Sequence, residues 1–193
     1  MCMVKSVLEP VDVVVHTQEF RVHAQVHMRP GSSSAWLLNT DDRAFLSLTN
    51  ASMYQPTVAD PPPAEALRYE TRFAAVPKAH VSWMVGGAPD GGQDGYGRQP
   101  RKVYLMYPSY VLTGLFQMRA ENRLSDYLAT LMGSKPFQTL FDCAILEPGP
   151  SGTRMDAWQE VRRYEFVTVN LRLCGGVFDS RSPRDERPAP GAG

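Results

Sequence analysis

Two stretches decide the fold: Val13–Arg29 (VVVHTQEFRVHAQVHMR) and Val103–Arg119 (VYLMYPSYVLTGLFQMR). They align without a gap, carry an aromatic residue at the same position, Phe20 and Tyr110, and both end in Met-Arg. In the first stretch apolar and polar residues alternate from Phe20 onwards, which is the period-two pattern of a half-buried β-strand. The chain is therefore predicted to contain the same strand unit twice.

The agreement continues beyond these stretches. After a two-residue insertion, Phe137–Leu140 matches Phe45–Leu48, and Asp142–Pro148 matches Asn50–Pro56. Helical periodicity is almost absent. The exception is Ser125-Asp126, which could cap a short helix.

Strand patterns punctuated by turn residues predict an all-β protein with little helix. We expect two tandem small barrels, or one pseudo-symmetric β-sandwich made from both repeats. The predicted boundaries are a first repeat over 1–85, a glycine- and proline-rich linker over 86–100, a second repeat over 101–179 and a disordered tail over 180–193.

The order of strands and loops within each repeat resembles that of Sm-like and SH3-like small β-barrels. The motif Arg123–Leu128 (RLSDYL), followed by Phe137 and Leu140–Ile145, resembles an uncharacterised bacterial family of small domains. The first repeat keeps only Ser34, Leu37 and Leu38 of this motif. These resemblances imply an architecture and no chemistry, and RNA binding does not carry over from them.

Composition narrows the function classes. The chain has 193 residues, 43% of them hydrophobic, and a formal net charge of zero. A hydrophobic fraction of this size is typical of a globular protein, whereas zero net charge removes the electrostatic attraction of a strongly basic nucleic-acid binder. No apolar run approaches the ~20 residues of a membrane span, and the N-terminus lacks a signal-peptide apolar region. We expect a cytoplasmic protein without a membrane partner.

A polar stripe on the first repeat is the candidate anion-binding or RNA-binding surface. Its members would share the outer face of one strand, and Arg123 of the second repeat joins them as a further candidate. The residues are Arg21, His23, Gln25, His27 and Arg29. Ordinary solvation is the competing interpretation. Since His23 and His27 would lie roughly 13 Å apart along a strand, they predict no shared metal ion.

The matching stripe of the second repeat is more apolar. Val111 and Leu115 replace Arg21 and Gln25, and Arg119 ends the stripe. An apolar outer face indicates cover by the other repeat or by another subunit. Val111, Leu115 and Arg119 are therefore the candidate residues for binding a protein partner.

Catalysis finds little support in the sequence. Cys143 has no histidine in the second half of the chain to activate it, and it aligns with Ala51. We predict no catalytic residues, no metal and no cofactor. The expected function is a non-enzymatic interaction or assembly module that binds a protein, or itself, through sheet edges and an apolar outer face. The alternative is single-stranded RNA or anion binding.

Overall fold

The computed structural model describes residues 7–40, 42–58, 61–90, 97–149 and 158–179 and is mostly β-structure. The prediction of an all-β protein with little helix is confirmed. The elements of the first half are β1 Glu9–His16, β2 Arg21–Met28, α1 Ser34–Thr40, β3 Phe45–Tyr54, β4 Leu67–Pro77 and β5 Trp83–Gly86. Those of the second half are β6 Arg98–Met106, β7 Val111–Arg119, α2 Leu124–Ser134, β8 Phe137–Pro148, β9 Trp158–Asn170 and β10 Gly176–Asp179.

All ten strands belong to one antiparallel sheet with the order β10-β6-β7-β8-β9-β5-β1-β2-β3-β4. Each half contributes five neighbouring strands in the same order, and the halves join where β5 pairs with β9. Across the described ranges the sheet is open, so the prediction of two closed barrels is not confirmed. β4 and β10 are left as its two outer strands.

The two halves also share their strand registers. His16 lies opposite Arg21 in the first half, and Met106 lies opposite Val111 at the same place in the second. Both third strands carry a bulge, at Asn50 with φ 50° and at Asp142 with φ 46°. Asn and Asp tolerate this left-handed conformation better than other residues with a Cβ.

The helices lie between the second and third strands of each half. The short helix predicted at Ser125-Asp126 is present as α2, but it begins at Leu124, and Arg123 precedes it without a side-chain capping bond. The pattern of the first half does not indicate α1. Ser33 caps α1, because its Oγ accepts a hydrogen bond from the Trp36 N–H at 3.0 Å. This short helix is thus fixed by local hydrogen bonding as well as by its buried Leu37 and Leu38.

Two hydrophobic cores lie under the sheet, one for each half, and each takes a residue from the other half. Trp83 of β5 is fully buried in the core of the second half, and Phe137 of β8 packs in the core of the first. Asn39 of α1 reinforces this exchange, since its amide accepts from the Phe137 N–H at 3.0 Å and donates to the Phe137 carbonyl at 2.7 Å.

The segment predicted as a linker, 86–100, is only partly irregular. Gly86 ends β5, and β6 begins at Arg98. The Ser34 Oγ donates to the Gly86 carbonyl at 2.6 Å, and the Ser34 N–H donates to the Ala88 carbonyl at 3.2 Å. The start of the segment is therefore bound to α1. Residues 91–96 and the predicted tail, 180–193, lie outside the described residues.

Within the described ranges, neither helix has the length and apolar composition needed to cross a bilayer.

Candidate functional site

The predicted anion-binding stripe does not lie on one exposed surface. Arg21 has 0% of its surface exposed, His23 is half-buried, and only His27 and Arg29 are exposed. The sequence-based expectation of a solvated stripe is therefore wrong at Arg21. The alternation placed Arg21 on the outer face of β2 correctly with respect to the first core, but this outer face is covered at the end that meets the second half.

An aromatic stack lies at this covered end. The His16 and Trp83 rings stack with centroids 3.5 Å apart, and Trp83 Nε1 donates to the Tyr110 hydroxyl at 2.8 Å. Burial lowers the pKa of His16 well below its ordinary value, and the nearby Arg21 and His23 lower it further. Burial raises the pKa of Tyr110 to about 12, against the opposing effect of its bond to Trp83. The stack is thus a neutral structural element that joins the halves.

His23 lines a shallow groove of about 350 Å³ beside β1, β2 and β3. Polar side chains in this groove already bind one another: Gln25 Nε2 donates to Asp12 Oδ1 and Asn50 Nδ2 donates to Gln25 Oε1, both at 3.1 Å. The His23 ring packs edge-on against Tyr54, with centroids 5.1 Å apart. Because Asp12, Gln25 and Asn50 bind one another, their polar groups are less available to a ligand.

His27 and Arg29 line a different groove, of about 380 Å³, between α1 and the end of β2. Trp36 of α1 and Arg43, which follows the helix, also line it. The structure thus separates His27 and Arg29 from His23 and Arg21 and places them beside an exposed indole. Sequence reasoning missed Trp36 and Arg43, because their position beside β2 depends on α1, which the sequence pattern did not indicate.

The candidates of the second half are dispersed as well. Arg119 is exposed in a polar groove of about 250 Å³ together with Arg101, Lys102 and Asp179. Arg101 and Asp179 form an ion pair at 3.7 Å. Arg123 is exposed at the start of α2, where its carbonyl accepts from the Tyr127 N–H at 3.0 Å. The structure does not place Arg123 in the groove that contains His27 and Arg29.

Val111 and Leu115 differ in exposure. Val111 is fully buried within this chain, and Leu115 is half-buried. The prediction that the outer face at Val111 needs cover is consistent with its burial, but the chain supplies that cover itself. Val111 is therefore not available to a partner in this structure, and the apolar surface open to one lies elsewhere.

That surface is the outer edge of the sheet at β4. Leu67, Tyr69 and Phe73 have 40%, 62% and 58% of their surfaces exposed, and Phe45 of the adjacent β3 has 50%. Four large apolar side chains on two neighbouring strands are more than the scattered exposure usual on a monomer. The sequence named sheet edges as the binding element but did not single out these residues, because nothing in the alternation tells which strand lacks a neighbour.

Two kinds of chemistry lack a basis in the described part of the chain. It contains no group of three or more His, Cys, Asp or Glu side chains arranged to hold a metal ion. Cys143 is fully buried, and burial raises the pKa of its thiol far above the usual value, so the thiolate is disfavoured. Cys143 packs in the second core as a small apolar residue.

No protein-family model, curated protein or solved structure matches the chain. The functional proposals below therefore rest on the geometry of the molecule.

Proposed function

We propose that the protein is a non-enzymatic interaction module that binds an extended segment of another protein along the free edge of β4. The observation that carries this proposal is the group of exposed apolar side chains, Leu67, Tyr69, Phe73 and Phe45. They lie on and beside a strand that has no partner on its outer side among the described strands. An added strand would gain main-chain hydrogen bonds from the edge, and its side chains would cover this apolar surface.

The corresponding strand of the second half supports this mode of binding. β9 has β8 on one side, as β4 has β3, and its other side pairs with β5. Trp83 lies opposite Val169 and Met84 opposite Thr168 in that pairing. One of the two equivalent strand edges is thus already used to receive a short strand.

The β4 edge lacks the hydrogen-bonding residue that fastens β5 to β9. Asn170 fastens β5 to β9, because its N–H donates to the Ser82 carbonyl at 2.8 Å and its Nδ2 to the Val81 carbonyl at 3.0 Å. Pro77 takes the place of Asn170 on β4, opposite Phe45 as Asn170 is opposite Phe137, and proline has no N–H.

The strand that a second copy would offer is also poorer. β10 corresponds to β5, and Gly176 lies opposite Met106 where Trp83 lies opposite His16. The buried indole that anchors β5 therefore has no counterpart on β10. We accordingly favour another protein over self-association as the partner.

We also propose a small-barrel origin for the strand arrangement of each half. Each half keeps the strand order 5-1-2-3-4, which supports an Sm-like or SH3-like small-barrel unit opened to share one sheet with its neighbour. A cytoplasmic location stays a prediction from the sequence.

The test compares two charge substitutions on two exposed strands. Phe73→Glu places a charge on the proposed β4 edge, and Val161→Glu does the same on β9, where Val161 is also exposed. A protein captured from the source cells by the parent chain is purified, and its affinity for the three chains is measured by calorimetry. We expect Phe73→Glu to weaken binding at least about tenfold and Val161→Glu to leave it unchanged.

Equal binding of the partner by parent and Phe73→Glu chains would overturn the proposal. Light scattering on the purified chain distinguishes the partner classes. A single-chain mass agrees with a different protein as partner, whereas a larger mass that falls to one chain in Phe73→Glu would assign the edge to a second copy.

A further inference from the structure

The groove between α1 and the end of β2 combines basic groups with an exposed aromatic ring. Arg29, Arg43 and His27 line it, together with Trp36, which has 41% of its surface exposed. Asp42 is the one carboxylate among the lining residues, and the exposed guanidinium of Arg29 offers an anion paired hydrogen bonds. Leu8 adds a further exposed apolar surface.

The indole is held on a fixed support. The N-terminus of α1 is tied by the Ser33 cap and by the bonds of Ser34 to Gly86 and Ala88. Its C-terminal end is tied by Asn39, which binds the Phe137 backbone, and by the buried Lys78, whose Nζ donates to the Leu37 carbonyl at 3.2 Å. A ring presented by a helix anchored at both ends loses little further freedom when a ligand stacks on it.

The second half lacks this combination at the matching place. Arg119 corresponds to Arg29, since each follows the Met of its second strand, but Gln117 stands for His27 and Asp126 for Trp36. The aromatic surface is therefore specific to the first half, and the second half carries a matched arginine without an indole beside it. The strand registers of the two halves agree, so the shared framework does not account for this difference in side chains.

We propose that this groove binds a nucleoside 5′-phosphate, with the phosphate on Arg29 and the base stacked on Trp36. Guanidinium groups match phosphate oxygens with paired hydrogen bonds, and base stacking on an aromatic side chain contributes roughly 1–3 kcal/mol. The volume of about 380 Å³ lies at the lower end of small-ligand pockets, which suits one nucleotide. This site is independent of the β4 edge and does not rest on the function proposed above.

A free nucleotide is favoured over a nucleic-acid strand as the source of this chemistry. The formal net charge of the chain is zero, and of the predicted stripe Arg21 is buried and His23 is half-buried beside other partners. A strand of RNA would need a longer basic track along its backbone. The groove supplies contacts for a single phosphate and a single base.

The test uses the full chain and measures binding by calorimetry and by tryptophan fluorescence. The probes are the four ribonucleoside 5′-monophosphates, adenosine, inorganic phosphate and a single-stranded adenine oligoribonucleotide. We expect at least one monophosphate to bind more tightly than adenosine or phosphate alone. Arg29→Gln and Trp36→Leu should each weaken that binding about tenfold or more, whereas Arg119→Gln should leave it unchanged.

Thermal unfolding of each variant serves as the folding control, since Arg29, Trp36 and Arg119 are all exposed. The proposal is overturned if none of the four monophosphates binds at millimolar concentration, or if Arg119→Gln weakens binding as much as Arg29→Gln. It is also overturned if the oligoribonucleotide binds far more tightly than any mononucleotide with a steep salt dependence. That result would assign the groove to an extended nucleic-acid surface.

Discussion

The junction between the halves and the outer β4 edge are two versions of the same sheet edge. At the junction, β9 receives β5, and Asn170 and Trp83 hold it there. At the outer edge, β4 has the same register to its inner neighbour but carries Pro77 in place of Asn170. The strand framework therefore determines where a sheet edge lies, whereas a few side chains determine whether another strand of the same chain pairs with that edge.

The outer faces of the two halves also differ at matched positions. His16 and Arg21 of the first half correspond to Met106 and Val111 of the second, and all except Met106 are buried. Burial therefore does not follow the polarity of the residue at these positions. At the junction between the halves, His16 stacks on Trp83, and Arg21 lies directly opposite His16.

The largest expected effect comes from removing the anchor of the junction. Trp83→Ala should lower the free energy of unfolding by about 3–5 kcal/mol, because it leaves a cavity in the second core and removes the stack on His16. Denaturant unfolding followed by circular dichroism measures this loss. Trp36→Ala is the control and should cost less than about 0.5 kcal/mol, since that indole is exposed. Equal costs for the two variants would contradict the role assigned to Trp83.

A smaller effect is expected from the hydrogen bonds between α1 and β8. Asn39→Ala copies the second half, where Ala129 occupies the matching place, and it leaves the N–H and carbonyl of Phe137 without the Asn39 amide. We expect a loss of about 1–3 kcal/mol in the free energy of unfolding.

The reverse change supplies the control for Asn39. Ala129→Asn is on an exposed part of α2 and should change stability by less than about 0.5 kcal/mol. If Asn39→Ala is as mild as Ala129→Asn, the two halves do not depend on this contact.

The smallest effect at neutral pH concerns His16, and it grows in acid. Because burial lowers the pKa of His16 in the folded chain, the unfolded chain binds the proton more readily. The stability contributed by neutral His16 is therefore complete above the unfolded pKa of about 6.5 and is lost as the pH falls below it. His16→Met, which copies Met106, should flatten the fall in stability between pH 7 and pH 5. Parallel pH profiles for the parent and His16→Met chains would refute this assignment.

Much of the local framework was predictable from the sequence. Period-two alternation located β2, and the gapless match of the two stretches anticipated the register that they share. The match of Asn50 with Asp142 was part of the predicted alignment, but the bulges at these two residues were not predicted. Strand positions and their register depend on residues close along the chain and on the strand directly opposite. The sequence pattern can therefore predict them.

The candidate sites were much less predictable. Alternation tells which residues of a strand share a face, but whether an outer face is covered depends on segments far away in sequence. That is why Arg21 was placed in solvent and is buried, and why the apolar candidate Val111 is enclosed while Phe73 is open. The grouping of His27 and Arg29 with Trp36 likewise required knowing how α1 lies against β2.

The sequence by itself predicted the strand unit and its second occurrence, and it gives a formal net charge of zero. Only the tertiary structure decided that β5 pairs with β9, that Trp83 enters the second core and Phe137 the first, and that the outer side of β4 has no neighbour among the described strands. The physical reason is that hydrogen bonding along a strand edge is a property of every β-strand. Which edge meets which is determined by the packing of side chains brought together from distant parts of the chain.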